Sequence, residues 1–394
     1  MAKDFSALDA FLDEQGFDGY LLDADSTASD QYYLSGFFAN DPFVTLYTPE
    51  ETALLVSGLE YSRAVAESRA DVVRKHQDYE YAELVQEHGQ EEAGARVRAA
   101  FLDEFGVESV ATNRRFPLAT ADGLRGRDVD VTADTEDTVT DIRAVKTEDE
   151  LDAIREAQRA NQVAMARVDE LITDATVEGG ELHYEGGVLT SERVKREVDK
   201  TLLDEGCAAE ETIVACGADA AVPHNSGSGP LRANETIVVD VFPKNKDTHY
   251  NGDMTRTFVK GDPSAEAREF YELTQQAFDA AMDALEPGAT GAEVHGAVCD
   301  VYENAGYPTL RSDPDTDTGY IHSTGHGIGL DVHEAPSVSH RSDEPLQPGH
   351  VVTIEPGLYD PDVGGVRLED LVVVADNDRG YENYTDYTMQ MVRE

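Results

Sequence analysis

Over the first third of the chain, short apolar runs alternate with segments whose apolar residues recur at helical spacing. Phe5 to Gly16 carries the helical period, whereas Gly19 to Leu22, Phe43 to Tyr47 and Thr52 to Val56 are short, strand-like runs. This alternation predicts an α/β domain of mixed order over residues 1–143. A new unit begins near Thr147, whose hydroxyl can cap a helix while Glu150 closes the capping box. Leu151, Ile154, Ala157, Ala164, Val168 and Leu171 then form a long apolar stripe, which sets the boundary just before it and gives the second unit residues 144–394. Further on, Asp262 and Pro263 are expected as N-cap and first position of another helix, with Phe270, Leu273, Ala277, Phe278, Ala281 and Leu285 on its buried side and Pro287-Gly288 as its stop. Strands are expected at Thr236 to Phe242, Thr255 to Val259, Val351 to Ile354 and Val366 to Val374, so this half is α+β.

Composition narrows the function classes. The chain has 394 residues, 40% of them hydrophobic, enough for two domains with their own cores. Its 80 acidic against 31 basic residues give a formal charge of -49, which repels nucleic acid and anionic membranes. The acidity is spread along the chain and Lys is scarce, as expected for a halophilic protein whose self-repulsion is screened in a high-salt cytoplasm. Cys207, Cys216 and Cys299 form no CxxC pair and are expected as reduced, mostly buried thiols. The first residues lack a basic segment followed by an apolar run, and no stretch reaches membrane-spanning length, so the expectation is a soluble, cytoplasmic protein.

The chemical anomaly is four acidic residues in or beside apolar strands. Asp240 interrupts the run Thr236 to Phe242, Glu355 ends Val351 to Ile354, and Glu369 lies inside Gly364 to Val374. A buried carboxylate costs several kcal/mol unless it is paired or binds metal. Asp253 is the fourth, so that two strand pairs each carry two carboxylates, suggesting two related half-domains that face one site. Strand periodicity puts Thr255 on the face of Asp253, and Arg367 on the face of Glu369, where it can orient that carboxylate. His326 sits in the glycine-rich run GHGIGLDVHE from Gly325 to Glu334, where close backbone approach leaves the imidazole free to reach a metal. Taken singly, each carboxylate is equally readable as a solvated hairpin residue; the five together suit two divalent ions. Oxygen-rich ligation favours Mn(II), Co(II) or Fe(II), with Zn(II) possible.

These stretches, with Pro223-His224-Asn225, Asp253 to Thr257, Thr353 to Tyr359 and Gly365 to Asp370, resemble the pita-bread metallopeptidases in order and spacing across most of residues 145–375. That family comprises methionine aminopeptidase, aminopeptidase P and prolidase, with creatinase as a metal-free relative. The resemblance implies a C-terminal pita-bread domain with Asp240, Asp253, His326, Glu355 and Glu369 as metal ligands, Asp253 and Glu369 bridging. It also implies a metal-bridging hydroxide as nucleophile, Glu355 as proton shuttle, and His224 and His333 as groups that bind substrate and stabilise the tetrahedral intermediate. His322, Tyr359 and Arg367 resemble the substrate-binding set of the proline-directed branch, although His322 is also readable as a solvated loop residue and Arg367 as a support only. Asn225 reads as a turn residue.

The run Asp30 to Phe37 is similar to the creatinase-type N-terminal domain of aminopeptidase P and prolidase, which in the family packs over the site, often that of a partner subunit in a homodimer. The expected substrates are short peptides with proline at the second position, cut by an Xaa-Pro aminopeptidase or Xaa-Pro dipeptidase holding two Mn(II) ions. A non-catalytic binding protein on the same fold, or a metallohydrolase of a non-peptide substrate, are the alternatives. Asp240 and Asp253 stand thirteen residues apart, farther than the family usually shows. Either the hairpin turn is longer, or Asp247 replaces one ligand.

Overall fold

The computed structural model describes residues 3–393, which form two compact units divided between Arg143 and Ala144. In the first, helix Ser6–Gln15 ends at Gly16, whose left-handed φ of 74° lets its N–H return to the Leu12 carbonyl. Six strands then make one sheet in the order Val72–Lys75, Thr52–Val56, Phe43–Tyr47, Gly19–Ala24, Ser109–Thr112, Asp130–Ala133. The three central strands pair antiparallel and the outer ones parallel, which is the mixed order expected. Leu21, Val44, Leu46, Leu55, Phe101 and Val110 fill its core.

The second unit opens with helix Glu148–Thr173, started by the expected Thr147–Glu150 capping box. Its apolar stripe packs on strands Ile237–Val241 and Met254–Lys260, burying Ala164, Val168 and Leu171 against Val239, Met254 and Phe258. These two strands pair antiparallel with Asp240 opposite Thr255, and Thr212–Cys216 flanks them. A second sheet runs Glu334–Val338, Gly325–Gly327, Val351–Ile354, Asp370–Val374, Tyr381–Asn383. Helices Ala265–Ala284 and Gly291–Asn304 cover it through Phe278, Ala281, Val294 and Val298 packed on Val352, Ile354 and Val372. Each half thus has helices on its outer face and carboxylates at one end of an antiparallel strand pair.

Two sequence expectations need correction. The helix expected to start at Asp262-Pro263 starts at Ala265, because Ser264 is the N-cap and its Oγ accepts the Ala267 N–H at 3.0 Å. The single strand expected at Val366 to Val374 is two: Gly364–Arg367 pairs with Gly357–Asp360, Asp370–Val374 pairs with Val351–Ile354, and Glu369 lies at the break. The three cysteines are free thiols, Cys207 and Cys299 buried.

His295, on helix Gly291–Asn304, is buried between Thr324 Oγ1 at 2.9 Å and Cys299 Sγ at 3.4 Å. Desolvation lowers its pKa from 6.5 to about 4, so the fold holds it neutral. Between those values the unfolded chain binds a proton that the folded chain does not. Stability from this residue is therefore complete above 6.5 and is lost as pH falls towards 4, a change of about 3 kcal/mol. Urea midpoints of wild type are expected to fall more steeply across this window than those of His295→Gln.

Candidate metal centre

Strand geometry delivers the four carboxylates to one place. Asp240 is within its strand, while Asp253 and Glu369 immediately precede, and Glu355 immediately follows, the paired segments. They meet in a cavity of about 590 Å³ that is also lined by Pro223, His224, His322, His326, His333 and Arg367. The long Asp240–Asp253 connection is a closed turn. Asn245 Oδ1 accepts the N–H groups of Asp247 and Thr248, and Gly252 N–H returns to the Pro243 carbonyl at 2.9 Å. Asp247 is exposed on this turn, whereas Asp240 and Asp253 line the cavity.

His326 reaches the carboxylates because two glycines let strands close in. A Cβ at Gly325 would lie 1.8 Å from the Thr353 carbonyl oxygen, and one at Gly327 2.2 Å from that of Ala335. The His326 Nδ1–H donates to the Gly327 carbonyl at 3.2 Å, which leaves the Nε2 lone pair facing Glu355 Oε1 at 3.4 Å and Asp253 Oδ2 at 3.7 Å. Burial, then the neighbouring His333, lowers the His326 pKa to about 3. His333 stands edge-on to it at 4.3 Å between ring centroids. The loop between them is pinned at both ends: Asn251 N and Nδ2 donate to the Gly329 carbonyl, and the buried Lys146 Nζ holds Glu334 at 2.5 Å.

Arg367 lines the cavity and supports two of the carboxylates. Its Nη2 pairs with Asp240 Oδ2 at 2.5 Å, and its Nε donates to Thr255 Oγ1, which in turn donates to Glu369 Oε2 at 2.8 Å. It therefore orients Asp240 directly and Glu369 through Thr255. Tyr359 stands behind the cavity wall rather than on it. Fully buried, it accepts from Arg367 Nη1 at 3.2 Å and donates to His322 Nε2 at 2.9 Å, while His322 Nδ1–H donates to the Ser323 carbonyl. His322 is thus a fixed, partly buried residue, and desolvation followed by the Arg367 charge brings its pKa down to about 3. His224 is exposed at the cavity and Asn225 holds a turn through Gly227 N–H and Asp219.

The electrostatics call for cations. Burial, reinforced by the mutual repulsion of the carboxylates, raises Asp253 and Glu369 well above the usual carboxylate range and Glu355 to about 8. Among the described lining residues, only Arg367 brings a fixed positive charge. Asp240 Oδ1 and Asp253 Oδ1 are buried without a hydrogen-bond partner. Donor atoms of Asp253, His326 and Glu369 lie within 4.8 Å of one another. A set of carboxylates and one imidazole with orphaned oxygens fits divalent ions of hard to borderline character.

No motif pointed to Gln158 and Asn161. Both are fully buried polar residues of helix Glu148–Thr173, bonded to the backbone of Asp253 and Val241 respectively. The signal was available, because helical spacing puts both on the apolar stripe between Ile154 and Ala164, where a polar side chain must find a partner.

Residues 152–376 match Metallopeptidase family M24 and residues 5–145 match the Creatinase/Prolidase N-terminal domain. The Xaa-Pro dipeptidase of Pyrococcus furiosus is 28% identical over 96% of either chain. Among solved structures, the prolidase from Pyrococcus horikoshii superposes with a TM-score of 0.78 at 27% identity, covering 99% of this chain and 98% of that one. An X-Pro aminopeptidase from Thermotoga maritima does so with 0.76 at 25% identity, over 96% and 98%.

Proposed function

Since this chain belongs to metallopeptidase family M24 and carries the creatinase/prolidase N-terminal domain, we propose that it hydrolyses the Xaa-Pro bond at the N-terminus of short peptides. The observation that carries this reading is the cavity itself, where four carboxylates, Asp253 and Glu369 buried and Asp240 and Glu355 partly so, converge with an imidazole and two oxygens lack partners. Likeness to proteins named Xaa-Pro dipeptidase, prolidase and X-Pro aminopeptidase supports the substrate class.

Asp240, Asp253, His326, Glu355 and Glu369 would hold two divalent ions, with Mn(II) favoured by the oxygen-rich set. Bound there, the ions lower the pKa of a coordinated water and polarise the scissile carbonyl. Glu355 takes a proton from the attacking water and returns it to the leaving imino nitrogen of proline. His333, edge-on to His326, and His224 at the cavity donate hydrogen bonds to the carbonyl oxygen as charge develops on it. His322, oriented by Tyr359 and Ser323, contacts the bound peptide.

The test is hydrolysis of an Xaa-Pro dipeptide and an Xaa-Pro-Yaa tripeptide in molar potassium chloride with Mn(II), beside a chelated control. Cleavage of the dipeptide alone marks a dipeptidase, and cleavage of both an aminopeptidase. If metal binds and neither is cut, the peptidase reading fails.

We also propose a halophilic setting from the charge of -49. Moving the protein from molar potassium chloride to dilute buffer is expected to lower its Tm by on the order of 10 °C, as screening is lost. A melting temperature independent of salt in a calorimetric series would contradict this.

A further inference from the structure

The buried amide of Gln158 makes three hydrogen bonds, two to the backbone of Asp253 and one to the hydroxyl of Thr385. Its Oε1 accepts the Asp253 N–H at 2.9 Å. Its Nε2 donates to the Asp253 carbonyl at 2.9 Å and to Thr385 Oγ1 at 2.7 Å. Thr385 Oγ1 also accepts the N–H of Leu371 at 2.9 Å, two residues beyond Glu369. One side chain therefore connects the backbone of Asp253 to the strand that Glu369 leads into.

The approach of the helix is close. A Cβ on Gly252 would lie 2.8 Å from Gln158 Oε1 and 2.9 Å from the backbone of Ala157, so glycine is what lets the helix reach this segment. Asp253 lies one residue outside the paired strand Met254–Lys260, and its backbone lacks the ladder that fixes the residues after it. One helical turn from Gln158, Asn161 Nδ2 donates to the Val241 carbonyl at 2.5 Å, beside Asp240. On the far side, Arg256 Nη1 donates to the Glu369 carbonyl at 2.7 Å.

We propose that Gln158 is a positioning residue of the metal centre: by clamping the backbone of Asp253 and linking it through Thr385 to Leu371, it fixes the separation of the Asp253 and Glu369 carboxylates and so sets the affinity for divalent ions. This rests on the metal-centre reading above. Leucine at the position fills a similar volume but leaves the Asp253 N–H and carbonyl buried and unpaired. That segment then relaxes and carries its carboxylate with it. Residues that orient metal ligands from behind typically govern affinity by about 10- to 100-fold.

The experiment titrates Mn(II) alone into the full chain and reads free Mn(II) by electron paramagnetic resonance, far below the melting temperature. Wild type, Gln158→Leu, Thr385→Val and Thr274→Val are compared. Thr274 bonds the Tyr302 hydroxyl within the helical layer, so its loss loosens a buried polar contact away from the cavity. Gln158→Leu is expected to bind Mn(II) about 10- to 100-fold more weakly. Thr385→Val, which removes the bonds from Gln158 Nε2 and the Leu371 N–H but keeps the two between Gln158 and Asp253, should weaken binding in the same direction, and Thr274→Val should keep wild-type affinity while melting lower. Should Gln158→Leu fail to fold, the Thr385→Val affinity decides. Wild-type affinity in the Gln158 and Thr385 variants, or equal weakening in Thr274→Val, overturns the positioning role. Wild-type protein that takes up no Mn(II) overturns the metal-centre reading and this inference with it.

Discussion

Asp253→Asn is expected to lose Mn(II)-dependent Xaa-Pro hydrolysis by about 10³-fold or more, and yet to melt higher than wild type when both are stripped of metal. The two effects share one cause. Asp253 is 3% exposed, and its pKa is raised first by desolvation and then by Glu369, Asp240 and Glu355. A carboxylate whose folded pKa lies above its unfolded value of 3.8 takes up a proton on folding. Its contribution to stability therefore falls as pH rises from 3.8 towards the folded value. Burying this ionisable group without metal therefore costs stability at neutral pH, and the amide, which does not ionise, removes that cost. The clamp from Gln158 acts on the backbone of residue 253 and survives the substitution. Calorimetry of chelated samples, paired with the peptide assay, reads both effects. A chelated variant that melts below wild type would show that the buried charge is already compensated without metal.

Arg367→Met should destabilise the chelated protein by about 3–5 kcal/mol, the usual cost of removing one partner from a buried ion pair. Arg367 is 3% exposed, and it pairs with Asp240 while also donating to Thr255, Tyr359 and the Pro223 carbonyl. Methionine fills much of the space and satisfies none of these. Adding Asp240→Asn should recover part of the loss, because the charge left unpaired is then gone. Mn(II) should recover part of it as well, by supplying positive charge to the same carboxylates. Urea unfolding with and without metal measures all three. A loss below about 1 kcal/mol, as for an exposed pair, would mean that solvent reaches Asp240 more freely than its surroundings indicate.

Much of the fold was legible in local pattern. Phe43–Tyr47 and Thr52–Val56 coincide with their apolar runs, and the Thr147–Glu150 box starts its helix where expected. The carboxylates and His326 were also visible, because charge inside a β-branched run or imidazole between glycines is a local anomaly, whereas His224, His322 and His333 came only with the family resemblance. What escaped were features set by partners distant in sequence. Val366 to Val374 reads as one strand by composition, yet the chain changes sheets at Leu368-Glu369, which only the registers with Gly357–Asp360 and Val351–Ile354 define. Strand parity put Arg367 beside Glu369. The guanidinium also turns to Asp240 on the opposite strand pair and reaches Glu369 only through Thr255. Ser264 and Asp262 are both good caps, and only the Ser264 hydroxyl meets the first-turn N–H. Gln158 belongs to no motif. Its role depends on Gly252 and Thr385, roughly a hundred residues and more away in the chain.

The most direct test of the central claim is anomalous diffraction at the manganese edge from crystals grown with Mn(II). Two peaks between Asp253 and Glu369, one of them beside His326 Nε2, are the predicted result. A single peak elsewhere, or no peak in crystals shown to contain the ion, would contradict it.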